Sequence, residues 1–341
     1  MTRYVFLGAG AVGSALGGLL TRQGSEVLLV ARGEHARRMS GHGLSLRCPD
    51  TEFTVPVPVS TAPDQARLTS EDVLVLTTKT QQAAAAVDEW ADVPVHDRAG
   101  TVLGRAADLL PICIALNGVS GEEIALRYFS RVFAVCVWFP TIMIEPGEVL
   151  VRTAPSRGLF HVSRYGACSD PADSPLLEEL GRDWAAAGCL VRQPDSALAW
   201  KYRKLLTNLG NVLQALLGDA SGAENLRQAI EAEAAAILEA AGIPVTGAEE
   251  ARAAWQTEEL SVRPVPGEPA QIGGSSWQSL VRGTGSIETD FLNGEIALIA
   301  RRIGRSAPIN ARLTALARRA ARQGLRPGAI GIEELRAELP V

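Results

Sequence analysis

The chain has 341 residues, 47% of them hydrophobic and 21% charged, which suits globular material of about two domains with ample core. A net charge of −5 gives no reason to expect a nucleic acid or an anionic membrane surface as partner. Five cysteines, at 48, 113, 136, 168 and 189, make no Cys-x-x-Cys pair and no Cys/His cluster, so they read as small buried residues of a reducing compartment and no metal site is expected. No uninterrupted apolar run approaches the roughly 18 residues that a spanning helix needs. Arg3 and the apolar, small-residue run to Leu20 superficially resemble a signal peptide, but ordered glycines argue otherwise, and the cytoplasm is the expected location.

Tyr4 to Leu7 has the apolar character of a strand, and Gly8-Ala9-Gly10-Ala11-Val12-Gly13 follows it and opens a helical stretch to Gln23, closed by Gly24. In a strand–glycine turn–helix unit the first glycine permits the tight turn, the second lets backbone approach a pyrophosphate, and the third lets helix and strand pack closely. Free N–H groups at the helix start and the helix dipole both favour the diphosphate of a dinucleotide there. Glu26 to Ala31 is the second strand. The residue just beyond it distinguishes dinucleotides: an acid suits the ribose 2′-hydroxyl of NAD, an Arg the 2′-phosphate of NADP. Arg32 therefore favours NADPH, with Glu34 close by.

A short helix to about Gly41 and a hairpin of Leu44–Arg47 with Phe53–Val57 come next. Val73 to Thr77 is an apolar strand that delivers Thr78-Lys79 at its carboxyl end, and Pro111 to Leu116 is another that ends in Asn117-Gly118. In open α/β sheets ligands bind beyond the carboxyl ends of the strands, so Lys79 and Asn117 are candidates to reach cofactor or substrate. Arg131–Phe139, Glu148–Arg152 and Gly158–Ser163 read as strands, followed by a helix over about 175–187 and a short strand over 189–192.

After Gln193-Pro194 every periodic segment reads as helical, which predicts a domain boundary there: 1–194 as a Rossmann-type dinucleotide-binding α/β domain and 195–341 as an all-α domain. A helix capped by Asp195 or Ser196 is predicted to run to about Leu217. It carries Lys201 and Lys204, two of only three Lys in a chain otherwise served by Arg, and Lys204, Asn208 and Asn211 at i, i+4 and i+7 share one face. Unlike Arg, Lys can release a proton within a useful pH range. Capping boxes at Ser221-Gly222-Ala223-Glu224 and Thr246-Gly247-Ala248-Glu249 predict helices to about Ala241 and Glu259. The Pro- and Gly-rich stretch 261–274 is predicted as a loop, and helices are predicted over about 286–303 and 310–323.

Taken in order, these residues resemble the ketopantoate (2-dehydropantoate) 2-reductase family over nearly the whole chain. Gly8, Gly10 and Gly13 match its fingerprint, Arg32 its 2′-phosphate contact, Lys79 the Lys after its fourth strand, and Asn117-Gly118 its Asn-Gly turn. Lys204-Leu205-Leu206-Thr207-Asn208 is similar to its Lys-Leu-x-x-Asn, and Ser276, Glu288 and Asn293-Gly294 match its downstream residues. Two departures stand out. Asn211 follows Asn208 by three residues where the family usually has four, and Trp277 and Leu280 stand where Met and Asp are usual.

The resemblance implies an NADPH-dependent reduction of a 2-oxo acid, ketopantoate or a relative, to the 2-hydroxy acid. Lys204 would be the general acid. Glu288 would tune it or bind a substrate hydroxyl, since a carboxylate raises a Lys pKa that burial lowers. Asn208, Asn211, Ser276 and Asn117 would contact substrate. Gly8, Ala9, Gly10, Ala11, Val12, Gly13, Arg32, Lys79 and Asn117 would hold the cofactor. The partner is then a small 2-oxo acid, and the assembly is compatible with a homodimer. The departures at Trp277 and Leu280 also admit reduction of an imine or another specialised carbonyl, and the fingerprint alone would suit a non-enzymatic NADPH-sensing module.

Overall fold

Every residue from Tyr4 to Leu7 is buried because both faces of this strand are covered: Tyr4 and Phe6 enter one apolar cluster, Val5 and Leu7 another. Val73 and Val75 against Leu74 and Leu76 divide the same way one strand over. Continuous apolar runs of this kind mark parallel strands sandwiched between layers. The computed structural model describes residues 2–167, 170–268, 273–283 and 285–340. Cys168 therefore lies outside the described residues; Cys48, Cys113, Cys136 and Cys189 are buried.

The chain divides into two compact units, one of Met1–Asn117, Gly121–Leu198 and Glu249–Ala270, the other of Gly118–Ser120, Ala199–Ala248 and Gln271–Val341. Among the described residues no helix is long and apolar enough to cross a membrane.

An eight-stranded sheet organises the first unit, in the order Leu190–Arg192, Leu159–Tyr165, Arg131–Trp138, Pro111–Ile114, Asp72–Leu76, Arg3–Leu7, Glu26–Val30 and Val59–Ser60. From Arg131–Trp138 onward the strands are mutually parallel, and Leu159–Tyr165 runs antiparallel to them. The strand order reverses beside Arg3–Leu7: Glu26–Val30 lies on one side and Asp72–Leu76 on the other. Arg3 is paired with Asp72 in the register and grips its buried carboxylate twice, Nε to Oδ1 at 2.7 Å and Nη2 to Oδ2 at 2.6 Å. The Thr69 amide also donates to Asp72, so this carboxylate has the several partners that make burial of its charge tolerable.

The expected hairpin forms, Leu44–Arg47 antiparallel to Glu52–Val55, and belongs to a four-stranded sheet with Thr141–Glu145 and Glu148–Val151. The strand Thr141–Glu145, which lies between Pro140 and Pro146, was not anticipated. The segment after Glu249 also departs from the all-helical expectation. Its helix stops at Trp255, and Leu260–Val262 pairs antiparallel with Thr153–Pro155 inside the first unit. Pro264 and Pro266 follow directly and cannot donate within a helix, so the backbone groups ahead of them are satisfied across strands.

In the second unit the predicted long helix is broken. Ala197–Asn208 ends, and Asn211–Leu217 begins after Leu209-Gly210. The Leu209 amide is shared between the Leu205 and Leu206 carbonyls, while its own carbonyl accepts from Asn293 Nδ2 at 3.2 Å. Asn293 Nδ2 also donates to Asn310 Oδ1 at 2.9 Å, and Asn310 Nδ2 reaches the Ile230 carbonyl and Glu233. Glu233 accepts the amides of Ile309 and Asn310, which caps the helix Pro308–Arg322. The predicted helix over 286–303 is likewise split, into a 3₁₀ turn Glu288–Phe291 and the helix Asn293–Arg302, which places Asn293 at a helix start. The first predicted capping box is not made: Ser221 Oγ donates to Asp219, and the helix Glu224–Ala240 starts without a side-chain cap. The short helix Ile332–Glu338, which buries Leu335, was not anticipated.

Two consequences can be measured. Asn293→Ala removes the donor to a buried carbonyl and to Asn310, and is expected to cost about 1–3 kcal/mol in urea unfolding. His161, buried in Leu159–Tyr165, has its pKa lowered to about 4 by burial, with the nearby positive charge of Arg192 adding to the effect. Folded His161 stays neutral while the unfolded chain takes up a proton below about pH 6.5. Stability is therefore present above that value and lost as pH falls, by about 3 kcal/mol from this group at pH 4. His161→Gln is expected to flatten this component relative to the parent in unfolding curves at pH 7 and pH 4.

Candidate active site

The first strand ends at Leu7, and Gly8 turns the chain with φ +105°. A Cβ on Gly8 would lie 2.8 Å from Thr78 Cγ2, and one on Gly13 would lie 2.4 Å from the Gly8 carbonyl oxygen and 2.5 Å from Thr77 Oγ1. Thr77 Oγ1 uses that closeness to donate to the Gly8 carbonyl at 2.7 Å. Two glycines are thus demanded by the protein itself, at the point where strand, helix and neighbouring strand meet. Gly10 differs, because a Cβ there would meet only the Thr77 carbonyl oxygen at 3.9 Å. Its bare backbone faces room, and the helix Ala11–Gln23 starts beside it with no side-chain cap and no acid in its first turn. Open backbone next to an uncapped helix start fits a diphosphate.

His35, on the helix Gly33–His42, supports this turn. Its Nδ1 accepts the Gly147 amide at 2.9 Å, Nε2 stands 3.1 Å from Ser14 Oγ, and Ser14 Oγ donates to the Ala9 carbonyl at 3.0 Å. With Nδ1 accepting and the Ser14 hydrogen directed to Ala9, the neutral ring carries its proton on Nε2 and donates to Ser14. Burial holds the His35 pKa below the ordinary histidine value, which keeps that tautomer in place.

A cleft of about 520 Å³ opens here, lined by Gly8, Ala9, Ala31, Arg32, Thr78 and Glu89 among others. Arg32 precedes the helix Gly33–His42, and its Nη2 donates to both carboxylate oxygens of Glu89, at 2.7 and 2.9 Å. Glu34, the acid noted near Arg32 in the sequence, is engaged by Arg37 and Arg38 one turn along its own helix. Lys79 follows the strand Asp72–Leu76, Asn117 follows its parallel neighbour Pro111–Ile114, and Thr80 Oγ1 donates to the Asn117 carbonyl at 3.0 Å. Adjacent strands and this bond bring Lys79 and Asn117 to one carboxyl edge.

The second unit holds the other candidates. Lys204 and Asn208 lie one turn apart on Ala197–Asn208 and are half-buried, whereas Lys201 is only 3% exposed. Asn211 does not continue their face; it opens the next helix across the Leu209-Gly210 break. That helix packs on Ser275–Arg282, where Gln214 Oε1 accepts the Gly274 amide at 2.8 Å and a Cβ on Gly274 would lie 3.4 Å from Asn211 Oδ1. Asn211 and Gln214 therefore meet the start of the helix that carries Ser276. Ser276 is 1% exposed, and its Oγ has no hydrogen-bond partner among the described residues. Glu288, also buried, begins the 3₁₀ turn Glu288–Phe291. Leu280 is buried as part of the apolar interior, and the Trp277 ring lies over Gly273, where a Cβ would come within 2.2 Å of it.

Sequence reasoning missed Thr77, Ser14, His35, Glu89 and Gln214. Gln214 follows Asn211 by three residues on a helix and was within reach of a periodicity argument. Glu89 and His35 carry no local signal, because each meets its partner only through tertiary packing.

Residues 4–162 match the family profile described as ketopantoate reductase PanE/ApbA, and residues 197–321 match its C-terminal counterpart. The 2-dehydropantoate 2-reductase of Pyrococcus horikoshii is 25% identical over 315 residues, which span 92% of this chain and 96% of that protein. A PanE/ApbA family ketopantoate reductase from Ralstonia eutropha JMP134 has a TM-score of 0.73 at 25% identity, covering 95% of this chain and 99% of the other. D-mandelate dehydrogenase, solved with NADH and anilino(oxo)acetate, shares the fold with a TM-score of 0.75 at 20% identity, over 95% of this chain and 99% of its own. The two profiles between them span most of the sequence, and the chain belongs to the ketopantoate reductase family, oxidoreductases acting on a C=O/CH–OH pair.

Proposed function

We propose that this protein reduces a 2-oxo acid, ketopantoate or a related compound, to the 2-hydroxy acid with NADPH, and that Lys204 is the general acid. The observation that carries the substrate class is Ser276. A buried hydroxyl with no partner among the described residues, in the first turn of a helix that has no acidic residue there, is costly unless a ligand acceptor reaches it. The same helix start has no side-chain cap, so the arrangement suits a carboxylate, which a neutral hydroxyl and a helix dipole bind without a counter-charge.

When bound, the nicotinamide supplies hydride to the carbonyl carbon. The chain's own task is to orient the acid and deliver a proton to the carbonyl oxygen. Lys204 suits proton delivery: it is half-buried, on the same helical face as Asn208, and a general acid typically contributes about 10²- to 10⁴-fold. Glu288, buried in the same unit, is the group we assign to a substrate hydroxyl or to the Lys204 ammonium. In the first unit the glycine turn and uncapped helix start suit the diphosphate, and Arg32 suits a 2′-phosphate. Lys79 and Asn117, gathered at one strand edge, are assigned to cofactor or substrate contacts.

Lys204→Ala is expected to lower kcat about 10²- to 10⁴-fold in NADPH oxidation with ketopantoate or another 2-oxo acid, while NADPH binding persists. Unchanged turnover would overturn the assignment, and a loss confined to Lys201→Met would move it to Lys201. Ser276→Ala is expected to raise KM for the 2-oxo acid about tenfold, through one lost hydrogen bond to a charged group, with a smaller change in the KM for NADPH. If oxidation occurred only with mixtures of 2-oxo acid and amine, imine reduction would replace this reading.

A further inference from the structure

The cofactor cleft holds a carboxylate where the reading above places a phosphate. We propose that Glu89 sets the balance between NADPH and NADH by opposing the 2′-phosphate at Arg32. This inference rests on the assignment of the cleft to a dinucleotide.

Three observations lead to it. Arg32 follows the strand Glu26–Val30, Glu89 lies in the last turn of the helix Ala83–Ala91, and both line the same cleft as Gly8, Ala9 and Ala31. Both hydrogen bonds to Glu89 leave from a single guanidinium nitrogen, Nη2, and Arg32 can therefore keep Glu89 while offering its remaining N–H groups to a ligand. The Arg32 and Glu89 side chains are 69% and 40% exposed, so the pair is not a fixed structural element and a ligand can reach it.

The chemistry follows from charge. A 2′-phosphate near charge −2 bound by Arg32 stands beside the Glu89 carboxylate, and the two anions repel through solvent and salt. A ribose 2′-hydroxyl meets the opposite situation, since it can donate to Glu89 and accept from Arg32. One Arg/Glu pair thus accommodates either cofactor, with Glu89 weakening NADPH and supporting NADH. Glu34, bound to Arg37 and Arg38, is not the acid that does this.

The test is the Kd of NADPH and of NADH, measured by quenching of tryptophan fluorescence at low and at physiological salt, for the parent, Glu89→Gln, Arg32→Gln and Arg32→Gln/Glu89→Gln. Glu89→Gln is expected to tighten NADPH about three- to tenfold, more strongly at low salt, and to leave NADH unchanged or weaker. In the Arg32→Gln background the Glu89 substitution is expected to have a smaller effect on the ratio. An NADPH-to-NADH ratio unmoved by Glu89→Gln, or both cofactors shifted alike, overturns the role of Glu89 while leaving the dinucleotide site standing. Failure of the parent to bind either cofactor saturably overturns the site assignment and the role of Glu89 with it.

Discussion

The close approach of Gly8, Gly13 and Thr77 is the constraint on which the first unit depends. Any side chain at Gly13 would collide with the Gly8 carbonyl and with Thr77 Oγ1, and the helix Ala11–Gln23 would have to move off the strand it follows. Because that approach is possible, Thr77 can bond the Gly8 carbonyl, and Gly10 is left with exposed backbone at the helix start. Close packing and the open anion-binding end are one arrangement seen from two sides. Arg3 and Asp72 support it from the other end of the same two strands, where a bidentate grip on the buried Asp72 carboxylate holds their register.

The surrounding groups keep this turn in one conformation. His35 ties Ser14 and the Ala9 carbonyl on one side to the Gly147 amide on the other, and it does so as a neutral ring because burial disfavours its protonation. A site meant to receive a large anion gains from such support, since a pre-organised backbone loses little freedom when the ligand arrives.

In the second unit the organising feature is a helix break satisfied by side chains. Asn293 takes the Leu209 carbonyl, Asn310 takes Asn293, and Glu233 completes the set while capping another helix. The break reorients Asn211 away from the Lys204–Asn208 face and toward the helix that carries Ser276. The three-residue spacing between Asn208 and Asn211, which departs from the usual family pattern, therefore bridges two helices rather than running along one. Leu280, standing where the family carries an acid, packs into the interior and has no polar group to offer a ligand. Trp277 covers Gly273 close by.

Periodicity and turn chemistry are local, and what depends on them was legible from sequence alone: the first strand with its glycine turn and helix, the hairpin 44–55, the strands ending near Lys79 and Asn117, and the pairing of Lys204 with Asn208 on one face. The interruption at Leu209-Gly210 was not legible, because its carbonyl is satisfied by a residue 84 positions away. Nor was the strand Leu260–Val262, whose partner lies about a hundred residues earlier in the chain. The α/β character of the first unit, the helical character of most of the second and the residue types available for chemistry were all readable in the linear chain, since each follows from short-range pattern. That Glu89 stands at Arg32, that His35 holds the glycine turn and that the Ser276 hydroxyl is buried with no partner among the described residues came from the folded chain, because hydrogen bonds and burial are settled by elements distant in sequence.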